Sequence, residues 1–434
     1  MGALPGWPPV ADIRIRACRK AWTHRWEDGD VGDDVAVQRG RLVDLLAEAG
    51  HVRTERVAEA FRTVPRHLFL PGVEPADAYA DEAIVTKRQG DGRPISSSSQ
   101  PAIMAEMLEQ LDVEPGQRVL EIGTGTGYNA ALLAHLVGTT GAVTTLDIDT
   151  DLVEQGSRQL QAAGITGVNA VCADGAAGWP GGAPYDRVIV TAAAWDIEPA
   201  WVGQLADRGR LVLPLSLRGV QLSVAFEALG DHLVSRSIVG CGFMPLRGAL
   251  AGPDQPRPLG DQPGLFVHLA DDRPVDLGAL YAALHQPGAQ MTTDVAVTAG
   301  QVLVELGLWL ALHDPDAGRL VALGDAIDAD LVPALIAFPG MTSTTALLGA
   351  QALAALAGPD TTAPADSFTI GVRPFGPDGT DLAQRLAAHV HAWDAAGRPS
   401  TAKLRIRAYP LHEAPADPAT FVLDKPHTRL LIDW

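Results

Sequence analysis

Cysteine is scarce in this chain: Cys18, Cys172 and Cys241 are the three found among 434 residues. No two of them have the spacing of a metal knuckle or a redox pair. That argues against a thiolate metal site or a disulfide scaffold, and for buried or indifferent thiols in a reducing compartment. Basic charge is also short, with 33 Lys and Arg against 52 Asp and Glu and a formal net charge of −19. No long basic run is present, which weighs against a nucleic-acid partner held through its phosphates. Long apolar runs are missing too. The most apolar window, Val295 to Leu312, is interrupted by Gln301 and Glu305. It falls short of the ~20 apolar residues of a membrane span and reads as a buried helix. The first residues, MGALPGWPPVADIRIR, lack the basic-then-apolar order of a secretory signal. No repeat recurs at the periods of a solenoid. The expectations are a cytoplasmic protein with no metal, no membrane and no nucleic acid among its partners.

What is present is enough for a sizeable core: 47% of residues are hydrophobic and 20% charged. The length suits two or three domains. Residues 1–36 mix Trp7, Trp22 and Trp26 with arginines and an acidic stretch, and read either as a packed arm or as an accessory strand and helix. From Val37 the pattern becomes regular. RGRLVDLLAEAGHV places Leu42, Leu45, Leu46 and Ala49 at helical spacing. TERVAEAFRTV reads as a helix capped by Thr54 and stopped before Pro65. A polar loop is expected from Asp77 to Ser99, then the helix PAIMAEMLEQL. Strand and helix then alternate: QRVLEIG, YNAALLAHLVG, GAVTTLDID, DLVEQGSRQLQAAG, VNAVCAD, YDRVIVTAA and a short helix WVGQLADRG, followed by strands RLVLPL and VQLSVAFEAL. This rhythm predicts a doubly wound parallel sheet of the α/β class.

The stretch VLEIGTGTGYNAALLA puts Gly123, Gly125 and Gly127 between a strand and a helix, where the turn is tight and a ligand meets bare backbone. A dinucleotide fold wants G-x-G-x-x-G with a pyrophosphate at the helix N-terminus. Here the spacing is G-x-G-x-G, led by Glu121 at the strand end. A carboxylate there suits a ligand carrying an amino group and a sulfonium. Asp147 ends the next strand, placed to accept from ribose hydroxyls, and Asp174 with Gly175 ends the third, placed for an adenine amino group. Each acid alone is as well explained as a helix cap. Together they outline a crevice for a cationic nucleoside, S-adenosylmethionine, at the strand ends where such sheets bind ligands. Thr124 and Ile148 belong to the same expected cofactor contacts.

With VPRHLFLP, AYADEAI, the Ser-Gln-Pro of SSSSQPAIMAEML, NAVCADGAAGWP, APYDRVIVTAAA, RGRLVLPL and CGFMPLRG added, residues 37 to 250 resemble the protein-L-isoaspartate O-methyltransferase family. The resemblance implies a class I, Rossmann-like methyltransferase with a seven-stranded sheet. It implies S-adenosylmethionine as methyl donor, S-adenosylhomocysteine as product, and a peptide or protein carboxylate as acceptor. Its isoaspartate-contacting serine falls on Ser99, with Ser97 and Ser98 beside it, and Gln100 and Asp81 fall in its substrate region. The chain departs from the family's pattern here: it has Ser97-Ser98-Ser99 where Thr-Ile-Ser is usual, and TKRQGDGRP in the upstream loop.

The chain is longer than the resemblance. Residues 251–263 are rich in Pro and Gly and read as a linker, and residues 264–434 as a separate C-terminal α/β or α+β domain. Helices are expected at VDLGALYAALH, VAVTAGQVLVELGLWLALH, TTALLGAQALAALAG and DLAQRLAAHVHAWDAAG, and strands at FTIGVRP, AKLRIRAYP, TFVLD and TRLLIDW. In AKLRIRAYP, Lys403, Arg405 and Arg407 alternate with Leu404, Ile406 and Ala408. The basic face is either a solvated edge or a strip for an acidic peptide. Longer chains resembling this one tailor ribosomally made peptides, FxLD-type lanthipeptides and graspetides among them, by methylating an aspartate that goes on to aspartimide or isoaspartate. Two readings follow: peptide tailoring, and repair of damaged isoaspartyl proteins. A nicotinamide oxidoreductase is disfavoured by the glycine spacing. A peptide-binding protein with a relic fold would consume no S-adenosylmethionine.

Overall fold

The computed structural model describes residues 35–90, 94–253, 256–269, 271, 273–338, 341–358, 367–413 and 419–434. The N-terminal tryptophans and Cys18 lie outside them. Helix Val35–Glu48 buries Leu42, Val43 and Leu46, while Leu45 stays exposed. Helix Glu55–Thr63 opens on Thr54, whose hydroxyl accepts from the Val57 amide, and stops short of Pro65. The segment expected as a polar loop is instead a hairpin, β1 (Ile84–Arg88) and β2 (Pro94–Ser98), so Ser97 and Ser98 are strand residues. Residues of β2 alternate between buried and half-buried. Serine satisfies that pleat although it gives no apolar signal in the sequence.

Helix Pro101–Leu111 leads into β3 (Arg118–Ile122), β4 (Ala142–Asp147), β5 (Val168–Cys172), β6 (Tyr185–Val190), β7 (Leu205–Leu217), β8 (Val220–Leu229) and β9 (His232–Gly240). These run β9-β8-β7-β6-β3-β4-β5, with β5, β4, β3, β6 and β7 parallel and β8 and β9 antiparallel. The expected class I α/β sheet is present. Two details differ: β7 begins at Leu205, where a helix was expected to continue, and β9 had no counterpart among the expected strands. Arg208, at φ 56, marks a register shift in β7 that plain alternation does not reveal.

The second half contributes to two sheets. β10 (Arg257–Pro258), β11 (Leu265–Leu269), β12 (Met291–Val297), β13 (Ala317–Leu323), β14 (Ile336–Phe338), β15 (Met341–Leu348), β16 (Leu353–Ala357) and β17 (Phe368–Phe375) form an antiparallel sheet backed by helix Gly379–Ala395. The apolar window expected as one helix is divided: β12 ends at Val297, and a wide turn at Gln301–Leu306 runs into helix Gly307–His313. TTALLGAQALAALAG, expected as a helix, is the β15–β16 hairpin. Its Ala and Leu residues are buried on both faces, and tertiary burial overrides their helix propensity.

The last strands, β18 (Arg405–Pro410), β19 (Phe421–Asp424) and β20 (Thr428–Asp433), return to the first sheet. They extend it to ten strands, ordered β19-β20-β18 beyond β9. Leu404, Ile406, Ala408, Leu430 and Ile432 share one buried cluster with Leu213, Val224 and Phe226, as do Leu308 and Ala311. Among the described residues no helix is long and apolar enough to cross a membrane.

Candidate active site

The glycine loop follows β3 because its backbone takes conformations that side chains resist: Gly123, Gly125 and Gly127 have φ of 111°, 50° and 81°. A methyl group on Gly123 would sit 2.2 Å from the Thr191 hydroxyl, and one on Gly127 would press on the Gly156 backbone. A methyl group on Gly125 would lie 3.7 Å from both Ser96 Oγ and Ser97 O, its nearest neighbours, so the loop and the serine strand face one another.

Glu121 is fully buried, and it holds this loop from beneath. Its carboxylate accepts from Asn129 Nδ2 at 2.8 Å and from Thr145 Oγ1 at 2.6 Å, and Thr145 contacts Thr124 Oγ1 at 2.9 Å. Burial pushes the Glu121 carboxyl up to about 7, against the pull of the Thr145 and Asn129 hydrogen bonds. Glu121 is absent from the cavity wall. Its side chain lies within the protein against Thr145 and Asn129, while Ile122 and Asn129 line the cavity.

Asp147 closes β4 and lines the cavity. Its Oδ2 accepts from the Gly125 amide at 3.0 Å and its Oδ1 from the Asp149 amide at 3.2 Å. Burial raises its proton affinity, and those two amides oppose the shift. Asp174 follows β5, taking the Ala176 amide at 3.0 Å and the Ala249 amide at 3.3 Å. The Arg247–Leu250 segment therefore crosses above Ile148, Asp174 and Gly175, all of which line the cavity. Arg247 and Lys87 converge on Asp149, each at 2.8 Å, fastening that segment and the β1–β2 hairpin to the end of β4. Burial works to raise the Asp149 carboxyl, but the two cations hold it below its ordinary value.

Ser97, Ser98, Ser99 and Gln100 all line the cavity, together with Thr124, Gly123 and Gly125. Ser98 is 3% exposed and its hydroxyl has no hydrogen-bond partner among the described residues. Gln100 donates to the Asp81 carbonyl and carboxylate at 3.1 and 2.9 Å, and Asp81 also accepts from the Ala102 amide at 2.8 Å. Asp81 is not on the cavity wall. Both of its carboxylate oxygens hold the turn that follows the serines.

The cavity measures about 700 Å³, within the range of small-ligand sites, and its walls come from both halves of the chain. The second half supplies His268, Leu269, Leu303, Val304, Arg319, Val321, Met341 and Ser343, which the sequence patterns did not single out. Burial, with Arg319 beside it, pushes the His268 imidazole down to about 3, so it is neutral at physiological pH. Burial pushes the Cys241 thiol up. From the far edge, Lys425 donates to the Trp195 and Ser216 carbonyls and lies over the Trp195 ring at 4.4 Å. Asp196 receives the His427 amide at 2.7 Å. The β19–β20 turn thereby holds the cavity-lining loop around Trp195.

Arg405 and Arg407 are not brought to this cavity. Their strand lies inside the sheet between β9 and β20 and is not an edge. Arg405 donates to the carbonyls of Ala402 and Leu404, and Arg407 stands 3.6 Å from Asp433. His389 pairs with Asp314 at 3.0 Å and His391 with the Thr293 carbonyl at 2.8 Å, and no metal-binding group of three is found among the described residues.

Comparison with known proteins places the first half of the chain. The family profile of protein-L-isoaspartate(D-aspartate) O-methyltransferase matches residues 37–251. A protein-L-isoaspartate O-methyltransferase of Methanoregula boonei is 41% identical over 211 residues, covering 49% of this chain and 93% of that protein. One from Hyperthermus butylicus is 38% identical over 219 residues, covering 48% of this chain and 88% of its own. A solved protein-L-isoaspartate O-methyltransferase structure superposes with a TM-score of 0.48 at 23% identity, covering 85% of this chain and 96% of that one. A glycine loop cradled by acids at successive strand ends, on a class I sheet, is what such a sequence match leads one to look for. The chain belongs to the protein-L-isoaspartate(D-aspartate) O-methyltransferase family of S-adenosylmethionine-dependent protein carboxyl O-methyltransferases.

Proposed function

We propose that this protein methylates an aspartate side chain of a ribosomally made, cyclised peptide, which then closes to a succinimide or opens to isoaspartate. The observation that carries this reading is the two-part cavity: the half of the chain beyond the family match walls the same space as the serine strand. An enzyme serving one particular peptide benefits from such added surface, because binding remote from the reacting atoms can position them.

S-adenosylmethionine supplies an activated methyl group. The cradle fits it: even a Cβ on Gly125 would meet Ser96 and Ser97 only at 3.7 Å, and Asp147, Asp174 and Ile148 line the same cavity. Asp147 would hold the ribose hydroxyls and Asp174 with Gly175 the adenine edge. The acceptor needs no general base, since a carboxylate with a pKa near ~4 is already ionised at neutral pH. The task left to the chain is placement and exclusion of water, and placement is worth about 7–11 kcal/mol in favourable cases. Hydroxyls of Ser97, Ser98 and Ser99 donate to the acceptor carboxylate without neutralising it. Gln100, locked by Asp81, fixes the turn that follows them. Once esterified, the aspartyl carbonyl is open to attack by the next backbone nitrogen, which forms the ring and releases methanol.

The second reading is repair of isoaspartyl residues in damaged proteins, favoured by the names of the relatives. Mass spectrometry separates the two. The protein is incubated with S-adenosylmethionine and either a short isoaspartyl peptide or the cyclised precursor encoded beside its gene. A mass gain of one methyl group, or a later loss of water, on the precursor alone supports tailoring. Comparable turnover of the short isoaspartyl peptide supports repair.

A further inference from the structure

Strand β13 alternates cleanly between two environments. Leu320 and Ala322 enter the core of the second sheet, while Arg319 and Val321 face the cavity. In register beside Arg319 lies His268, and beside Val321 lies Ser343. The second sheet thus presents a polar patch to the cavity beside apolar residues such as Val304, and the patch's one group charged at neutral pH is Arg319. Helix turn Gln301–Leu306 fixes this arrangement, since Val304 packs so tightly on Gly240 that a Cβ there would approach to 2.5 Å.

Arg319 has no ion pair and no hydrogen bond among the described residues. The other cavity-lining arginine, Arg247, is committed to Asp149. A guanidinium stays charged at any physiological pH. Burial lowers its proton affinity without removing the charge. A half-buried cation without a partner is costly, and the cost is relieved by an anion able to use its planar fork.

We propose that Arg319 is a specificity residue of the acceptor site, pairing with a second carboxylate of the peptide while the carboxylate to be methylated lies at the serine strand. The proposal rests on the reading of this cavity as a peptide carboxyl methylation site. The second carboxylate belongs either to an acidic side chain near the target or to a C-terminus.

The test uses the full chain and three synthetic hexapeptides that share one isoaspartyl residue. One carries a free C-terminus and no other acid. One carries a nearby glutamate and a C-terminal amide. One has the amide and no further acid. Calorimetry on the protein saturated with S-adenosylhomocysteine should show at least tenfold tighter binding of one of the first two over the third, and which one identifies the source of the carboxylate. Arg319→Gln should bring the ratio close to one, and Arg319→Lys should keep part of it. Unchanged affinity of both variants for S-adenosylhomocysteine shows that they are folded. Equal or undetectable binding of all three peptides to the unaltered protein overturns the proposal, as does a preference that persists in Arg319→Gln. Methyl transfer to the same peptides is scored separately. Preference without transfer retains the subsite and speaks against isoaspartyl repair alone, as in the mass-spectrometric comparison; transfer without preference supports isoaspartyl methylation and removes the subsite.

Discussion

Glu121 and Ser98 show how single side chains set the character of the site. Glu121 has its proton affinity raised by burial from an ordinary value of 4.5 to about 7. Below pH 4.5 the group is protonated in both folded and unfolded chains and has no effect on the pH dependence. Between 4.5 and 7 the unfolded chain releases its proton first, so stability falls as pH rises through that window and then levels off. The loss is on the order of 3 kcal/mol, at about 1.4 kcal/mol per tenfold change in proton affinity. Glu121→Gln keeps the shape and one acceptor but cannot ionise. Thermal unfolding at pH 5 and pH 8 should therefore show a smaller drop for the variant than for the unaltered protein; equal drops would mean that Glu121 is not held protonated by its surroundings. Ser98 presents the opposite case, a buried hydroxyl on the cavity wall with no partner among the described residues. If that hydroxyl is kept for the acceptor carboxylate, Ser98→Ala should leave stability unchanged or raise it by up to ~1 kcal/mol. The same variant should lower kcat/KM for the peptide about tenfold, with affinity for S-adenosylmethionine intact. A loss of stability with full activity would assign the hydroxyl to the fold.

At the scale of elements, the serine strand is held by its ends. Lys87 ties β1 to Asp149 and Asp151, and Asp81 ties Gln100 to the first turn of helix Pro101–Leu111. Asp81→Ala would strand the Ala102 amide and the Gln100 side chain together, costing about 1–2 kcal/mol as the loss of a helix cap does. Because Ser99 immediately precedes Gln100, the kcat/KM of methyl transfer should fall about tenfold while the dissociation constant of S-adenosylmethionine holds. An equal fall in cofactor affinity would show that the turn supports the whole site. The glycine loop was legible in the sequence because close approach of a ligand to bare backbone leaves few residue choices, and Gly123, Gly125 and Gly127 all require positive φ. The β1–β2 hairpin was not, since a run of serines carries no apolar alternation. The β15–β16 hairpin was misread because strands covered on both faces lose the period of two, leaving an Ala/Leu run that resembles a helix. For Glu121, spacing marks the strand end but not the face on which its side chain lies. Arg319 had no local signal at all, because it reaches the cavity only through the packing of one sheet against another.

For the molecule as a whole, the family's usual extent ends near residue 251, but the core does not. β18 pairs with β9 through Arg407 and Ala408, and Leu404, Ile406, Leu430 and Ile432 are all buried in the cluster that also holds Leu213, Val224 and Phe226. Burying an aliphatic side chain of this size is worth about 1.5–3 kcal/mol. Four of them amount to about 6–12 kcal/mol, comparable with the whole stability of a typical domain. Lys425 adds its clamp on the Trp195 and Ser216 carbonyls. A fragment of residues 37–251, although it matches nearly the full length of the relatives, is therefore expected to be insoluble or to unfold at least ten degrees below the full chain. The full chain is expected to unfold in one transition, since the last three strands and helix Gly307–His313 pack into the first sheet's core and both sheets line one cavity. Calorimetric scans of both proteins, with and without S-adenosylmethionine, test this directly. A fragment that is as stable as the full chain and binds S-adenosylmethionine equally well would make the C-terminal strands a dispensable attachment. Two separate transitions in the full chain would mean that the halves fold independently despite their shared core. A single transition, shifted upward by S-adenosylmethionine, would tie the second half to the integrity of the site itself.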